Sequence, residues 1–296
     1  MGPRLERPVW RDQTARDRLE GWYRRFQSRI SVPTESREIP TRYGTNHVLT
    51  AGPDDAPPLV CLHAMRTGSS FIMSELGPLL DRYRVIAPDL PGQSVRGLQR
   101  RLSLTDESHA NWLLDLLDEL QLDCPPVFGV SWGGFIARQM ATVFPERINR
   151  LALLVPAGIV SGSHWVGLIR IAIPMLRYRL RPSPSNLRRL LDPLFTNWDD
   201  DWGHFMGDAF RDMPFDFRLP PLATDQELRE LAMPVMVLAA ADDISFPGDS
   251  LYQRMQALVP DCRGEVIPDC KHCPPATPEF RDWLADQLAA FLADNR

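Results

Sequence analysis

The sequence predicts an α/β domain in which a mostly parallel sheet carries helices on both faces, with a helical cap inserted late in the chain. Three observations lead there. Short apolar and β-branched runs alternate with helical patterns along most of the chain, the way βα units are written. Those runs are apolar throughout rather than at every second position, as strands buried on both faces are. The alternation lapses once, over 156–231, where helical pieces and many prolines replace strand signals. A connection that long is an insertion with structure of its own. The expected division is an N-terminal helical extension over 1–40, a core over 41–155 and 232–296, and the cap over 156–231.

Taken in order, residues 11–30 place Leu19, Trp22, Tyr23, Phe26 and Ile30 at helical spacing with arginines opposite. Such an amphipathic helix must lie on something. Acidic residues mixed into its polar face argue against a membrane surface. Packing on the domain body near a site mouth, or across a homodimer seam, is expected instead. Strands are expected at 47–50, 59–62, 84–87, 126–130, 151–155, 235–239 and 265–267. Helices are expected at 70–80, 106–120, 135–144, 251–258 and 278–292. The insertion divides into helical pieces at 165–180, 184–194 and 201–211. Its aromatics (Trp165, Tyr178, Phe195, Trp198, Trp202, Phe205, Phe210, Phe215 and Phe217) suit either a core of its own or the lining of an apolar cleft.

Composition removes several classes of function. A hydrophobic fraction of 44% with 24% charged residues is that of an ordinary soluble globular protein. A net charge of −5 gives nucleic acid no electrostatic foothold. No apolar run reaches membrane-spanning length, since the longest, 165–176, is broken by Arg170 and Pro174. The opening residues contain no apolar signal core, so a cytoplasmic location without stable membrane association is expected. Five unevenly placed cysteines read as free thiols. Cys270 and Cys273 form a C-x-x-C without a second pair at zinc-ribbon spacing, so no metal is expected.

Chemistry concentrates at Gly129-Val130-Ser131-Trp132-Gly133, which joins an apolar strand to a helical pattern carrying Ile136, Ala137, Met140 and Phe144 on one face. A strand–turn–helix with serine at its apex projects that side chain clear of the sheet, and the flanking glycines permit the close crossing. An alcohol is a weak nucleophile near neutral pH and needs a base, which in turn needs an orienting carboxylate. Of the six histidines, His272 follows the last expected strand and precedes the terminal helix. It therefore emerges at the carboxyl edge of the sheet, where Ser131 also emerges and where open α/β sheets bind ligands. His109 belongs to a helix, His47 to an early strand, and His164 and His204 to the insertion; His63 is expected to brace its loop. The strand at 235–239 runs on into Asp242-Asp243 at the same edge, and one of the two carboxylates is expected to reach the imidazole. The order of nucleophile, acid and base along the chain separates this arrangement from other serine-triad folds. The amide of Trp132, next after the serine, is one expected oxyanion donor. The amide of Met65, in the turn after 59–62, is the other.

These residues resemble the α/β-hydrolase fold superfamily, and within it bacterial carboxylesterases with a helical cap and an amphipathic N-terminal helix. The resemblance rests on Tyr43-Gly44-Thr45-Asn46-His47-Val48, Leu62-His63, Ala87-Pro88-Asp89-Leu90-Pro91-Gly92-Gln93-Ser94, Gly129 to Gly134, Asp243 with Pro247, and Lys271-His272 with Pro278-Glu279. It covers 41–155 and 233–292. In that family the acid commonly precedes a proline by four, which selects Asp243 over Asp242. Two departures stand out: Ala64 where glycine usually follows the oxyanion-loop histidine, and Lys271 where glycine commonly precedes the base.

The resemblance implies a cofactor-free serine hydrolase that cleaves a carboxylic ester or related acyl bond of a small apolar substrate. Ser131, Asp243 and His272 are its expected catalytic residues. The same set also serves C–C bond hydrolases, lactonases, haloperoxidases, acyltransferases and lyases, and on this fold a feeble enzyme can act as a binding receptor. Dehalogenases and epoxide hydrolases are disfavoured because they need a carboxylate where Ser131 stands.

Overall fold

The computed structural model describes residues 8–214, 216 and 218–294, so Phe215 and Phe217 of the aromatic set, and the first seven residues of the extension, lie outside it. Eight strands form one sheet: β1 Thr34–Thr41, β2 Gly44–Ala51, β3 Pro58–Leu62, β4 Arg84–Pro88, β5 Val127–Val130, β6 Leu151–Leu154, β7 Val235–Ala240 and β8 Cys262–Ile267. Their spatial order is β1-β2-β4-β3-β5-β6-β7-β8. The hairpin β1–β2 and the β2–β4 pair are antiparallel, and every remaining pair is parallel. The carboxyl ends of β3, β5 and β7 therefore meet along one edge. Strands β6 and β7 are buried at every position, as two-sided coverage requires.

One face of the sheet is covered by α3 Ser108–Glu119, α4 Trp132–Val143 and α10 Gly248–Leu258, whose Trp112, Leu116, Phe135, Ile136, Leu251 and Met255 share a core with Val60, Val127 and Val237. The other face is covered by α2 Ser69–Glu75 and α11 Pro278–Ala293, with Met73, Leu284 and Leu288 against Leu59, Phe128 and Leu238. Helix α11 begins where Thr277 caps the Phe280 amide and Pro278 occupies the first turn, a start at which proline loses no hydrogen bond.

Between β6 and β7 lie α5 His164–Gly167, a π turn Leu168–Ala172, α6 Ile173–Leu180, α7 Pro184–Leu191, α8 Asp200–Asp212 and α9 Asp225–Arg229. Its aromatics divide. Tyr178, Phe195 and Phe210 join Met175, Leu187, Leu190 and Leu191 in a core local to the insertion. Trp202 and Phe205 turn instead toward α1 Gln13–Gln27, where they meet Phe26 and Phe71. Trp165 does neither and lies exposed. The apolar face of α1 (Ala15, Leu19, Tyr23 and Phe26) is buried against α2 and α8. An ion pair of Arg18 with the wholly buried Asp212 ties α1 to α8.

Two elements depart from the sequence expectation. Strand β1 is absent from it because Thr-Glu-Ser-Arg-Glu-Ile-Pro-Thr is an edge strand with one buried residue, Ile39, so no apolar run advertises it. Helix α9 is likewise absent from the expectation, although Thr224 and Glu227 form a reciprocal capping box, a signal present in the sequence.

Candidate active site

Strand β5 lies between β3 and β6 and delivers Ser131 to the carboxyl edge with φ 50° and ψ −107°. A non-glycine residue there costs on the order of 1–3 kcal/mol, and the surroundings must hold it. They do so through the backbone. The Ser131 amide donates to Leu154 O at 2.9 Å, while its carbonyl accepts from Ala157 N at 3.0 Å and Phe135 N at 3.2 Å. Both flanking glycines are sterically required: a Cβ on Gly129 would lie 2.6 Å from Gly133 O, and one on Gly133 would overlap Leu62 O. The amide of Trp132 opens α4, where first-turn N–H groups have no partner within the helix and the helix dipole is positive.

Three of the expected side chains come together. Ser131 Oγ is 3.0 Å from His272 Nε2, and His272 Nδ1 is 2.7 Å from Asp243 Oδ2. The other oxygen of Asp243 accepts from the amides of Ser245 at 2.7 Å and Phe246 at 3.1 Å. Asp243 is buried whereas Asp242 is exposed, so position alone separates the two carboxylates. With the carboxylate on Nδ1, that nitrogen carries the proton and Nε2 is left to accept from the serine hydroxyl. Burial pulls the imidazole of His272 down, but the Asp243 charge and its hydrogen bond outweigh it and hold the group above its ordinary value. The Phe246 ring meets the imidazole edge-on at 5.3 Å.

The loop after β3 brings Met65 to the same edge. The left-handed position of that turn is Arg66, with φ 63°; Ala64 has no positive φ, so this turn needs no glycine at 64. His63 braces it: Nε2 accepts from Leu90 N at 2.8 Å, and Nδ1 lies 2.8 Å from Ala64 O. Beneath it is a buried network that sequence reasoning did not find. Asp89 accepts from Ser69 N at 2.9 Å and Ser69 Oγ at 2.8 Å, and lies 2.7 Å from His47 Nδ1. Tyr23 of α1 reaches Ser69 Oγ at 2.5 Å. The extension is thereby fastened under the loop that carries Met65. The available signal was an acidic residue, Asp89, set among apolar neighbours directly after the strand Arg84–Pro88.

The insertion also holds the loop that carries His272, which the sequence did not reveal. Thr196 Oγ1 accepts from Lys271 N at 2.9 Å and donates to Cys273 O at 2.8 Å, while Cys273 N donates to Leu194 O at 2.8 Å. Lys271, the departure from glycine, sends its ammonium to Asp192 O at 2.7 Å. A cleft of about 420 Å³ opens beside Asp243, walled by Arg170, Pro193, Ile244 and Lys271 among others.

The alpha/beta hydrolase family matches residues 59–287 of the chain. An uncharacterized carboxylesterase, nap, of Bacillus subtilis is 28% identical over 85% of this chain and 86% of its own. The carboxylesterase YbfK of Bacillus subtilis is 23% identical over 92% of this chain and 93% of its own. Among solved structures, naproxen esterase (carboxylesterase NP) from Bacillus subtilis superposes with a TM-score of 0.82, covering 95% of this chain and 99% of that one at 24% identity.

Proposed function

The chain belongs to the alpha/beta hydrolase family, and from that premise we propose that this hydrolase is a carboxylesterase acting through an acyl-enzyme on Ser131. The observation that carries the reading is the continuous path from Ser131 Oγ through the imidazole of His272 to Asp243, at 3.0 and 2.7 Å. The names of the Bacillus relatives supply the reaction class.

In this mechanism His272 Nε2 takes the hydroxyl proton as Ser131 Oγ attacks the ester carbonyl carbon. The amides of Trp132 and Met65 receive the developing oxyanion, each contributing roughly 3 kcal/mol to the transition state. His272 then passes the proton to the departing alcohol, leaving an acyl-serine. Water enters, gives its proton to the same nitrogen and releases the carboxylic acid. Asp243 keeps the imidazole in the tautomer that accepts at Nε2 and stabilises the imidazolium. No cofactor takes part in any step. The substrate is a small apolar acyl compound, and residues 156–231 act as the cap over it. We also place the protein in a reducing compartment, the cytoplasm, on the strength of its five unpaired cysteines.

The test is hydrolysis of p-nitrophenyl esters, together with labelling by a fluorophosphonate probe. The Ser131→Ala variant should lose roughly a million-fold in kcat and all labelling. Undiminished turnover in that variant overturns the proposal.

A further inference from the structure

We propose that the outward face of α5 and α6 is a peripheral docking surface for an anionic lipid bilayer. Trp165 and Leu180 are each 73% exposed, Ile169 and Leu176 59% and Ile173 54%. These residues recur at intervals of four, four, three and four along the unbroken helical stretch from His164 to Leu180, as residues sharing one side of a helix do. Met175 and Tyr178 on the other side are buried in the core of the insertion. Soluble proteins rarely leave a continuous apolar face of this kind uncovered without an interaction to serve. At about 1.5 Å per residue the stretch runs roughly 25 Å, enough to lie along a membrane surface but, with Arg170, Arg177 and Arg179 within it, too short and too charged to cross one.

Charge selects the occupant. From His164 to Leu191 the sequence contains six arginines and no acidic residue, in a chain whose net charge is −5. Arg170, Arg177 and Arg181 stand exposed among the apolar side chains. A helix with Trp, Leu and Ile beside arginine lies in the bilayer interface and is drawn to anionic headgroups. A second copy of this chain fits poorly, because a two-fold interface would set one all-positive surface against another. The contrast with α1 is instructive: its polar face pairs Arg24 and Arg96 with Glu20, and its apolar face is already covered. The docking face also borders the active-site region. The Gly162 amide, just before α5, donates to Ser245 O at 2.8 Å, and Arg170 walls the cleft beside Asp243. The inference goes beyond ester hydrolysis and does not depend on it.

The experiment is co-sedimentation of the full chain with phosphatidylglycerol vesicles and with phosphatidylcholine vesicles, at low salt and at high salt. Expected are binding to the anionic vesicles, several-fold less to the zwitterionic ones, and weakening as salt rises. A triple variant, Trp165→Ser, Leu176→Ser and Leu180→Ser, should lose binding while its thermal unfolding stays unchanged, since these side chains are exposed. Arg177→Gln and Arg181→Gln should each weaken binding to anionic vesicles about five-fold. No binding to anionic vesicles, or equal binding by the triple variant, overturns the proposal. So does a wild-type dimer that the triple variant dissociates, because that result makes the face a seam between copies.

Discussion

His272 is subject to two opposed influences. Burial favours the neutral imidazole, while Asp243 at 2.7 Å favours the charged one, and the carboxylate prevails. The imidazole therefore keeps its proton to a higher pH than a free one would. The rising limb of kcat/KM, which reports the free enzyme's essential base, should have its midpoint above the ordinary value of about 6.5. Asp243→Asn removes the charge that raises the group and leaves the burial that lowers it. The limb should then move to lower pH, while kcat falls about ten-thousand-fold through the wrong tautomer. Ester hydrolysis measured from pH 5 to 9 checks both, and a limb that stays put in Asp243→Asn contradicts the account. At this scale Ser131 and His272 were legible because each follows a strand end, whereas the choice of Asp243 over Asp242 came from the resemblance alone, through Pro247 four residues on. Thr196 was not legible. Its role is to bond the backbone of Lys271 and Cys273, and a threonine that serves a distant main chain leaves no pattern in its own neighbourhood.

Elements were legible in proportion to how much of each is buried on a regular period. Strands β3 to β7 are short and apolar, and α1, α3, α4 and α11 repeat apolar residues at helical spacing, so each stands out from its flanks. Strand β1 is held by its pairing with β2 rather than by a buried face, and pairing cannot be read from one strand alone. The destination of α1 was also hidden, because the aromatics it meets come from α2 and from the insertion some 180 residues away (Trp22 to Phe205, for example). That junction is expected to matter energetically. Phe26 is fully buried, with ring centroids 4.3 Å from Phe71, 4.7 Å from Trp202 and 6.0 Å from Phe205. Truncation to alanine loses the burial and leaves a cavity among rings that cannot collapse onto one another, a cost of about 3–5 kcal/mol. Urea unfolding of Phe26→Ala should show that loss. A change below about 1 kcal/mol would mean that α1 contributes little to the stability of the fold.

For the whole molecule, the buried histidines set how stability answers to pH. His109 is buried on α3, edge-on to Phe135 at 5.9 Å, and burial pushes its imidazole down to about 4. His63 is likewise lowered by burial, against the pull of Asp89. Below pH 6.5 the unfolded chain gains protons at both sites that the fold refuses, for His109 down to about 4, so stability falls as pH falls. For His109 alone the full loss is about 3 kcal/mol. His272 works with the opposite sign and in a different window. Its folded value is raised, so the stability it contributes is fully present below about 6.5 and is lost as pH climbs through the folded value. The two windows abut, so the combined contribution of these histidines is greatest close to the ordinary imidazole value. His109→Leu, similar in volume, removes one acid-side contribution while leaving the alkaline side alone. Urea midpoints taken at pH 7.5, 6.5, 5.5 and 4.5 should decline more gently in that variant than in the wild type below 6.5, and run parallel to it above. Equal slopes on the acid side would show that His109 does not govern the acid limb, and the depression attributed to its burial would have to be abandoned.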